Sequence, residues 1–437
     1  VIDWAELQRR LVADMAAALH GSYRELDGTI GWPALAANSL QALGRERPLD
    51  QASEPLWSAA WNPPEWQWSD IDFRSAALDG LATAVERAAQ DAAREQWQAL
   101  ERQWLQTLVA ACREVQAQLR NEAGVAPDWV VFLHEEADTA HWLRECVGEA
   151  AFARLFPDEI AHAAQRERVL ALPVAERVDA LLEQVDRYDG AFSSEQAQDA
   201  LCALGAAAVP ALRALLPQRE GWRAAMLLSR IGLADADTVA ALRKQFSGHR
   251  DPPAQEWAAR ALALCGDREW LFAQLARSPR GPALEGLCAP YTASRDPGPC
   301  RLDYAPLQRL LSGPVAVAER ARETLKPGTS YCRLRADEID TALLGLAAPQ
   351  AFVRAHAAAI CDDRGLGAAA GARLLPALAQ RVAADPDAQV RFLAALSLGY
   401  WKREAAPWRG VLAAACEDAD ERVRRAARAA LEACGEA

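Results

Sequence analysis

Lysine, methionine and histidine are scarce in this chain of 437 residues. It has two methionines, six histidines and only three lysines (Lys244, Lys326 and Lys402), so its basic complement is 45 arginines. Against 60 acids the net charge is −12, which disfavours a general sleeve for DNA or RNA, because backbone binding needs a net positive field to displace counterions. Long apolar runs are also missing. The start at Val1–Trp4 has no basic stretch leading into an apolar one, and the alanine- and leucine-rich segments are broken by Arg, Glu or Gln every few residues. The sequence therefore predicts no signal peptide and no membrane span. None of the ten cysteines falls in a C-x-x-C pair, so they read as reduced core thiols of a cytoplasmic protein, not as a disulfide or zinc framework.

Catalytic motifs are absent too. No serine lies in G-x-S-x-G, no glycine run matches a phosphate-binding loop or a dinucleotide fingerprint, and no cysteine has a nearby histidine suggesting a nucleophile pair. Gly365-Leu-Gly367 is too short to count. The sequence thus predicts a protein that is not an enzyme and carries no cofactor and no metal.

What is present is an ordinary globular composition, 51% hydrophobic and 25% charged, at a length that suits two or three domains. Up to Gln165 there are 13 arginines and no lysine against 26 acids, and ten of the 15 tryptophans lie in the same segment. The remainder is close to neutral. Two modules follow from this contrast: an acidic, Trp-rich one over 1–160 and an Ala/Leu/Arg-rich one over 161–437.

In the first module Leu7, Leu11, Met15 and Leu19 recur every fourth residue, which predicts a helix over Trp4 to Leu26. Strand-like stretches follow at Thr29 to Leu35, Pro55 to Trp61 and Trp129 to His134. A long helical stretch without proline spans Phe73 to Asn121, with Trp97 and Trp104 among its apolar positions, and a helix over Ala140 to Leu155 is expected to end at Pro157. Helices packed on a small sheet, an α+β module, fit this pattern.

From Ala161 onward helix-length blocks recur about every 30 to 45 residues, the signature of stacked helical pairs. First helices are expected at Gln196 to Leu204, Trp222 to Ile231, Glu256 to Cys265, Val315 to Leu325, Phe352 to Cys361, Val390 to Gly399 and Val423 to Cys434. Second helices are expected at Val209 to Leu216, Thr238 to Phe246, Trp270 to Ala276, Ala305 to Leu311, Ile339 to Leu346, Arg373 to Val382 and Trp408 to Cys416. The fold class predicted is mostly α, a solenoid of about six or seven pairs behind a small α+β domain. Ser278 to Arg335 departs from the period, crowded by Pro282, Pro290, Pro297 and Pro299, and reads as a degenerate repeat or a projecting loop.

The stretch Asp387-Ala-Gln-Val390-Arg391-Phe-Leu-Ala394-Ala-Leu-Ser-Leu398-Gly399 resembles the HEAT repeats, with Asp420-Glu-Arg-Val423-Arg424, Ala427 and Leu431 as a second copy and Val353-Arg354 with Ala357 as a third. The resemblance covers 165–437 and implies a HEAT-like α-solenoid in which the aspartate and arginine link adjacent turns. It implies little about activity. A di-iron hydroxylase among HEAT-like proteins binds metal through paired His-Glu dipeptides, but here His249 and His356 are followed by Arg250 and Ala357, so those ligands are missing. In the first module, Trp57-Ser-Ala-Ala-Trp61-Asn-Pro-Pro-Glu65-Trp66, with Val130-Val-Phe-Leu and Ala140-His-Trp-Leu-Arg144, is similar to domain of unknown function 4303. That resemblance implies an α+β fold and no catalytic residues.

Three polar groupings deserve chemistry. His134-Glu135-Glu136-Ala-Asp138 with His141 spaces its histidines seven apart rather than four, across a turn, and reads as a solvated acidic loop, not a hydrolytic metal site. Glu65, Trp66, Trp68, Asp70 and Asp72 make a candidate partner-binding cluster, because indole offers area and a cation–π face while carboxylates steer a basic surface; Trp57 and Trp61 read as core. On the second helices Arg213, Arg243, Lys244, Arg277, Arg309, Arg373 and Arg381 recur. They are either the solubilising face of the stack or a basic groove for an acidic segment, including the protein's own acidic module.

An acidic Trp-rich module joined to a solenoid resembles the bacterial immunity proteins that neutralise toxins. The resemblance implies a cytoplasmic inhibitor whose partner is a protein, a basic toxin domain, blocked by occlusion. The alternatives are an assembly or regulatory scaffold and, disfavoured by the net charge, a DNA-binding solenoid.

Overall fold

The computed structural model describes residues 2–25, 34–38, 41–45, 68–72, 75–92, 94–120, 130–133, 139–185, 190–218, 221–248, 252–278, 281–326 and 330–435. The chain is mostly α and divides into two compact units, Val1–Arg168 and Val169–Ala437.

In the first unit the four-residue spacing near the start forms α1 (Trp4–Glu25), with Leu7, Leu11, Met15 and Leu19 all fully buried. The stretch Phe73 to Asn121 is two helices, α2 (Ala76–Asp91) and α3 (Arg94–Leu119). They part at Ala92, whose ψ of 141° is extended, with no proline or glycine to mark the break. Ser75 caps α2: its hydroxyl accepts from the Leu78 amide at 3.2 Å and donates to Asp14 of α1 at 2.5 Å. The core joins α1 to Leu108, Cys112 and Val115 of α3 and to Val131, Phe132 and Leu133.

Among the described residues four strands form one sheet: β1 (Ala34–Asn38), β2 (Gln41–Arg45), β3 (Trp68–Asp72) and β4 (Val131–Leu133), in the order β3-β2-β1-β4. Ala36 stands opposite Leu43 across an antiparallel pairing and opposite Phe132 across a parallel one. The expected strand at Trp129 to His134 is found as β4. That at Thr29 to Leu35 meets β1 only at its last two residues, and the stretch Pro55 to Trp61 lies outside the described residues. The strands β2 and β3 were not expected, because Gln-Ala-Leu-Gly-Arg and Trp-Ser-Asp-Ile-Asp hold a single β-branched side chain between them. The helix expected over Ala140 to Leu155 is two, α4 (Thr139–Val147) and α5 (Glu149–Leu155), separated by Gly148 at φ +82°. The second of these ends at Leu155, just ahead of Pro157 as expected, and Pro157 then opens α6 (Pro157–Ala171); at the first helical position its missing N–H costs nothing.

The second unit runs α7 (Val174–Gln184), α8 (Ser194–Ala203), α9 (Val209–Leu215), α10 (Gly221–Ile231), α11 (Ala236–Gly248), α12 (Pro252–Leu264), α13 (Arg268–Arg277), α14 (Pro282–Cys288), α15 (Ala305–Leu311), α16 (Val315–Thr324), α17 (Ile339–Leu346), α18 (Ala351–Ala359), α19 (Ala368–Ala384), α20 (Ala388–Tyr400), α21 (Arg409–Ala415) and α22 (Glu421–Gly435). Every helix expected from the period is there, within a few residues at each end. First helices pack in rows, α8 on α10, α12, α14 and α16 in succession, then α18 on α20 and α22; second helices pack α9 on α11 and α17 on α19 and α21. One apolar core runs from Val178 to Cys434. Small residues set the spacing: a Cβ added to Gly286 of α14 would stand 2.6 Å from the Ala259 carbonyl of α12.

Arginine and aspartate stitch the later repeats. Arg354 of α18 forks onto Asp385 at 2.7 and 2.9 Å, and Arg391 of α20 onto Asp418 at the same two distances. Each arginine also donates to two carbonyls of the turn before its own helix, Ala348 and Pro349 for Arg354, Asp385 and Pro386 for Arg391. Asp387 and Asp420, the aspartates of the sequence pattern, instead cap α20 and α22 by accepting from amides two residues on, at 2.9 Å each.

Ser278 to Arg335 is not a projecting loop. It carries α14 to α16, and the chain after α14 turns inward, so that Tyr291 and Arg295 are fully buried. Arg295 pairs with Glu338 at 2.6 Å, and Glu338 also accepts from the Leu302 amide at 2.8 Å. His356 of α18 meets the Tyr304 hydroxyl through Nδ1 and the Tyr291 carbonyl through Nε2, both at 2.9 Å. The irregular segment thereby joins the two rows of first helices with a buried polar knot.

Candidate binding surface

The seven basic residues singled out on second helices all lie on such helices: Arg213 on α9, Arg243 and Lys244 on α11, Arg277 on α13, Arg309 on α15, Arg373 and Arg381 on α19. Their arginines are largely spoken for. Arg213 meets Asp235, just ahead of α11, at 3.0 Å, and Arg243 meets Asp267, just ahead of α13, at 2.7 Å. Arg309 meets Glu269 of α13 at 2.8 Å, Arg373 bonds to Asp340 of α17, and Arg381 lies 3.3 Å from Asp385. Two guanidinium groups also lie over rings, Arg243 5.4 Å from the centre of Trp270 and Arg309 3.9 Å from that of Phe272. The hydrogen bonds that Arg243 donates to Asp267 raise the pKa of Arg243, and Thr238, helped by Arg213, holds the Asp235 carboxyl below its usual range.

The row therefore works as an inter-repeat ladder of ion pairs. A guanidinium matched by a carboxylate adds little net field, and of these seven only the exposed Lys244 and Arg277 lack an ion pair among the described residues.

The acidic Trp-rich cluster is only partly in view. Glu65 and Trp66 lie outside the described residues, as do His134, Glu135, Glu136 and Asp138. Trp68, Asp70 and Asp72 are alternate residues of β3, an edge strand of the sheet, with Trp68 in register with Gly44 and Asp72 with Gln41. His141 sits on α4 with its ring 4.6 Å from that of Trp142. Among the described residues no group of His, Cys, Asp and Glu is arranged to hold a metal ion.

A cleft that the sequence reading missed opens between α2 and α3, with a volume of about 250 Å³. From α2 it takes Ala82, Val85, Glu86 and Ala89, and from α3 Trp97, Leu100, Glu101 and Trp104. Both sets follow the same spacing, i, i+3, i+4, i+7, so each helix contributes one apolar seam interrupted by one glutamate. Trp97, one of the apolar positions of the predicted helical stretch, is 43% exposed. The signal was in the sequence, a carboxylate at the i+4 place of two facing seams, but only a break at Ala92 lets the seams face each other.

No protein-family profile and no curated protein matches this chain. Two solved structures similar to it are engineered proteins. One is 20% identical over 52% of this chain and 96% of its own length with a TM-score of 0.22, and the other is 17% identical over 83% and 96% with a TM-score of 0.25. Superpositions this loose carry no argument. The stacked rows α8 to α22 do: the chain is a helical-repeat protein. No helix among the described residues is long and apolar enough to cross a membrane.

Proposed function

We propose that this protein is a non-catalytic binding protein whose repeats are of the HEAT type, and that it acts as a cytoplasmic bacterial immunity protein that captures a basic toxin domain and occludes its active site. The observation that carries the reading is the stack itself. Successive packed pairs, from α7–α8 to α21–α22, share one core, and arginine–aspartate forks tie the later ones. Such a stack is a preformed surface that pays little ordering entropy on binding. The net charge of −12 favours encounter with a basic partner. The HEAT assignment is supported by Val390-Arg391 and Val423-Arg424 with their capping aspartates.

The test is co-expression of the tagged chain with products of genes that flank its own in the host. The expected result is one stoichiometric complex with a basic protein whose toxicity is lost. Recovery of several housekeeping proteins in its place, or turnover of a small molecule by the purified chain, would overturn the reading. Two compact units with separate cores favour one alternative, a scaffold that holds two cellular proteins; it predicts several partners of moderate affinity.

A further inference from the structure

We infer that the cleft between α2 and α3 seats one arginine side chain of a basic protein partner, an inference that rests on the capture reading above. Its size is the first reason. At about 250 Å³ it falls below the roughly 300–1,000 Å³ of sites that enclose a whole small ligand, and suits one long side chain. Its chemistry is the second. Trp97 and Trp104 supply π faces, Val85 and Leu100 an apolar wall, and Glu86 and Glu101 two carboxylates, while among the described residues no lysine or arginine lines it. An anion would face two negative charges, and a purely apolar group would gain nothing from the two carboxylates. A guanidinium satisfies both halves, since its plane stacks on indole and its N–H groups fork onto carboxylate oxygens, with the methylene stem along the apolar wall. The charge of the segment that carries the cleft agrees: up to Gln165 there are 26 acids against 13 arginines, a net field that draws a basic surface.

Val85 and Trp104 belong to or pack on the core of the first unit, but the three residues that would meet the guanidinium edge do not. Trp97 is 43% exposed, Glu86 and Glu101 are exposed, and none of the three belongs to the core of the first unit. Glu86→Gln with Glu101→Gln, and separately Trp97→Ala, should therefore leave the fold intact, which helix content by circular dichroism checks.

The test uses the full chain and a short dye-labelled peptide with a single arginine between leucines, beside a twin in which citrulline replaces arginine, read by fluorescence anisotropy. The arginine peptide is expected to bind on the order of tenfold more tightly than the citrulline twin, and the double-glutamine variant to lose that preference. Trp97→Ala is expected to weaken both peptides. Equal binding of the twins, or a preference that survives the double-glutamine change, overturns the inference whether or not a toxin is captured. If the preference holds but no flanking gene product is ever bound, the capture reading fails and the cleft stands as a cation seat.

Discussion

At the scale of single residues, burial decides which ion pairs matter. Arg354 and Asp385 have side chains only 9% and 0% exposed, whereas Arg309 and Glu269 are 53% and 83% exposed. Burial pushes the Asp385 carboxyl up, but the Arg354 guanidinium and the Asp387 amide outweigh it and hold it below its usual range. Arg354→Ala leaves that carboxylate buried without its fork and should cost about 3 kcal/mol. Arg309→Ala should cost about 0–1 kcal/mol. Urea denaturation of the two variants checks the contrast, and equal losses would contradict it. The arginines were legible from the Val-Arg spacing. Their partners were not, because the aspartates in the pattern, Asp387 and Asp420, cap helices, while the ladder uses Asp385 and Asp418, each two residues earlier.

His356 makes a second residue-scale expectation. Burial, opposed by the bond to the Tyr291 carbonyl and aided by the charge of Arg295, lowers its pKa to about 4 from 6.5. With Nε2 donating to that carbonyl and Nδ1 accepting from Tyr304, the neutral ring is fully used. In the unfolded chain the ring takes up a proton below pH 6.5; in the folded chain only below about 4. Stability is therefore fully present above pH 6.5 and falls between 6.5 and 4, by about 3 kcal/mol from this group. Urea midpoints measured across that range should slope for the native sequence and flatten for His356→Gln. No difference in slope would remove the buried ring as the cause.

At the scale of elements, periodicity found helices well and strands poorly. Helices of the repeats announce themselves by apolar and small residues every three or four positions, and tertiary packing then trims their ends. The strands β2 and β3 carry little β-type composition, and their pairing is long-range, so local pattern could not reveal them. The splitting of Phe73 to Asn121 was equally invisible, with ordinary alanines at the break. Close helix contacts depend on glycines whose role only packing shows. Gly286→Ala puts a methyl 2.6 Å from the Ala259 carbonyl, so α14 must move away from α12, at a cost of about 1–3 kcal/mol. Gly410→Ala, where nothing lies within 4 Å, should leave thermal stability unchanged or slightly raised. Equal melting temperatures for the two variants would mean that α12 and α14 do not pack as closely as described.

At the scale of the whole molecule, the two units keep separate cores and the thiols divide between them. Cys112 and Cys146 belong to the first, the other eight to the second, and all ten are free. Burial pushes the Cys265 and Cys332 thiols up to about 12 and those of Cys288 and Cys361 higher still, and the thiolate is the reactive form. Thiol labelling followed by peptide mapping should thus be slow in native conditions and confined to the partly exposed Cys202 and Cys416, with Cys265 held back by its raised pKa. As urea rises, Cys112 and Cys146 should become reactive together, since they share a core with α1 and β4. The thiols of the second unit should follow their own midpoint, and Arg354→Ala should lower that midpoint alone. In a stack each repeat is held by its neighbours, so a lesion in α18 reaches the other repeats and not the first unit. Should Arg354→Ala expose Cys112 as readily as Cys361, the two units would share one unfolding event, and independent cores would be the wrong description.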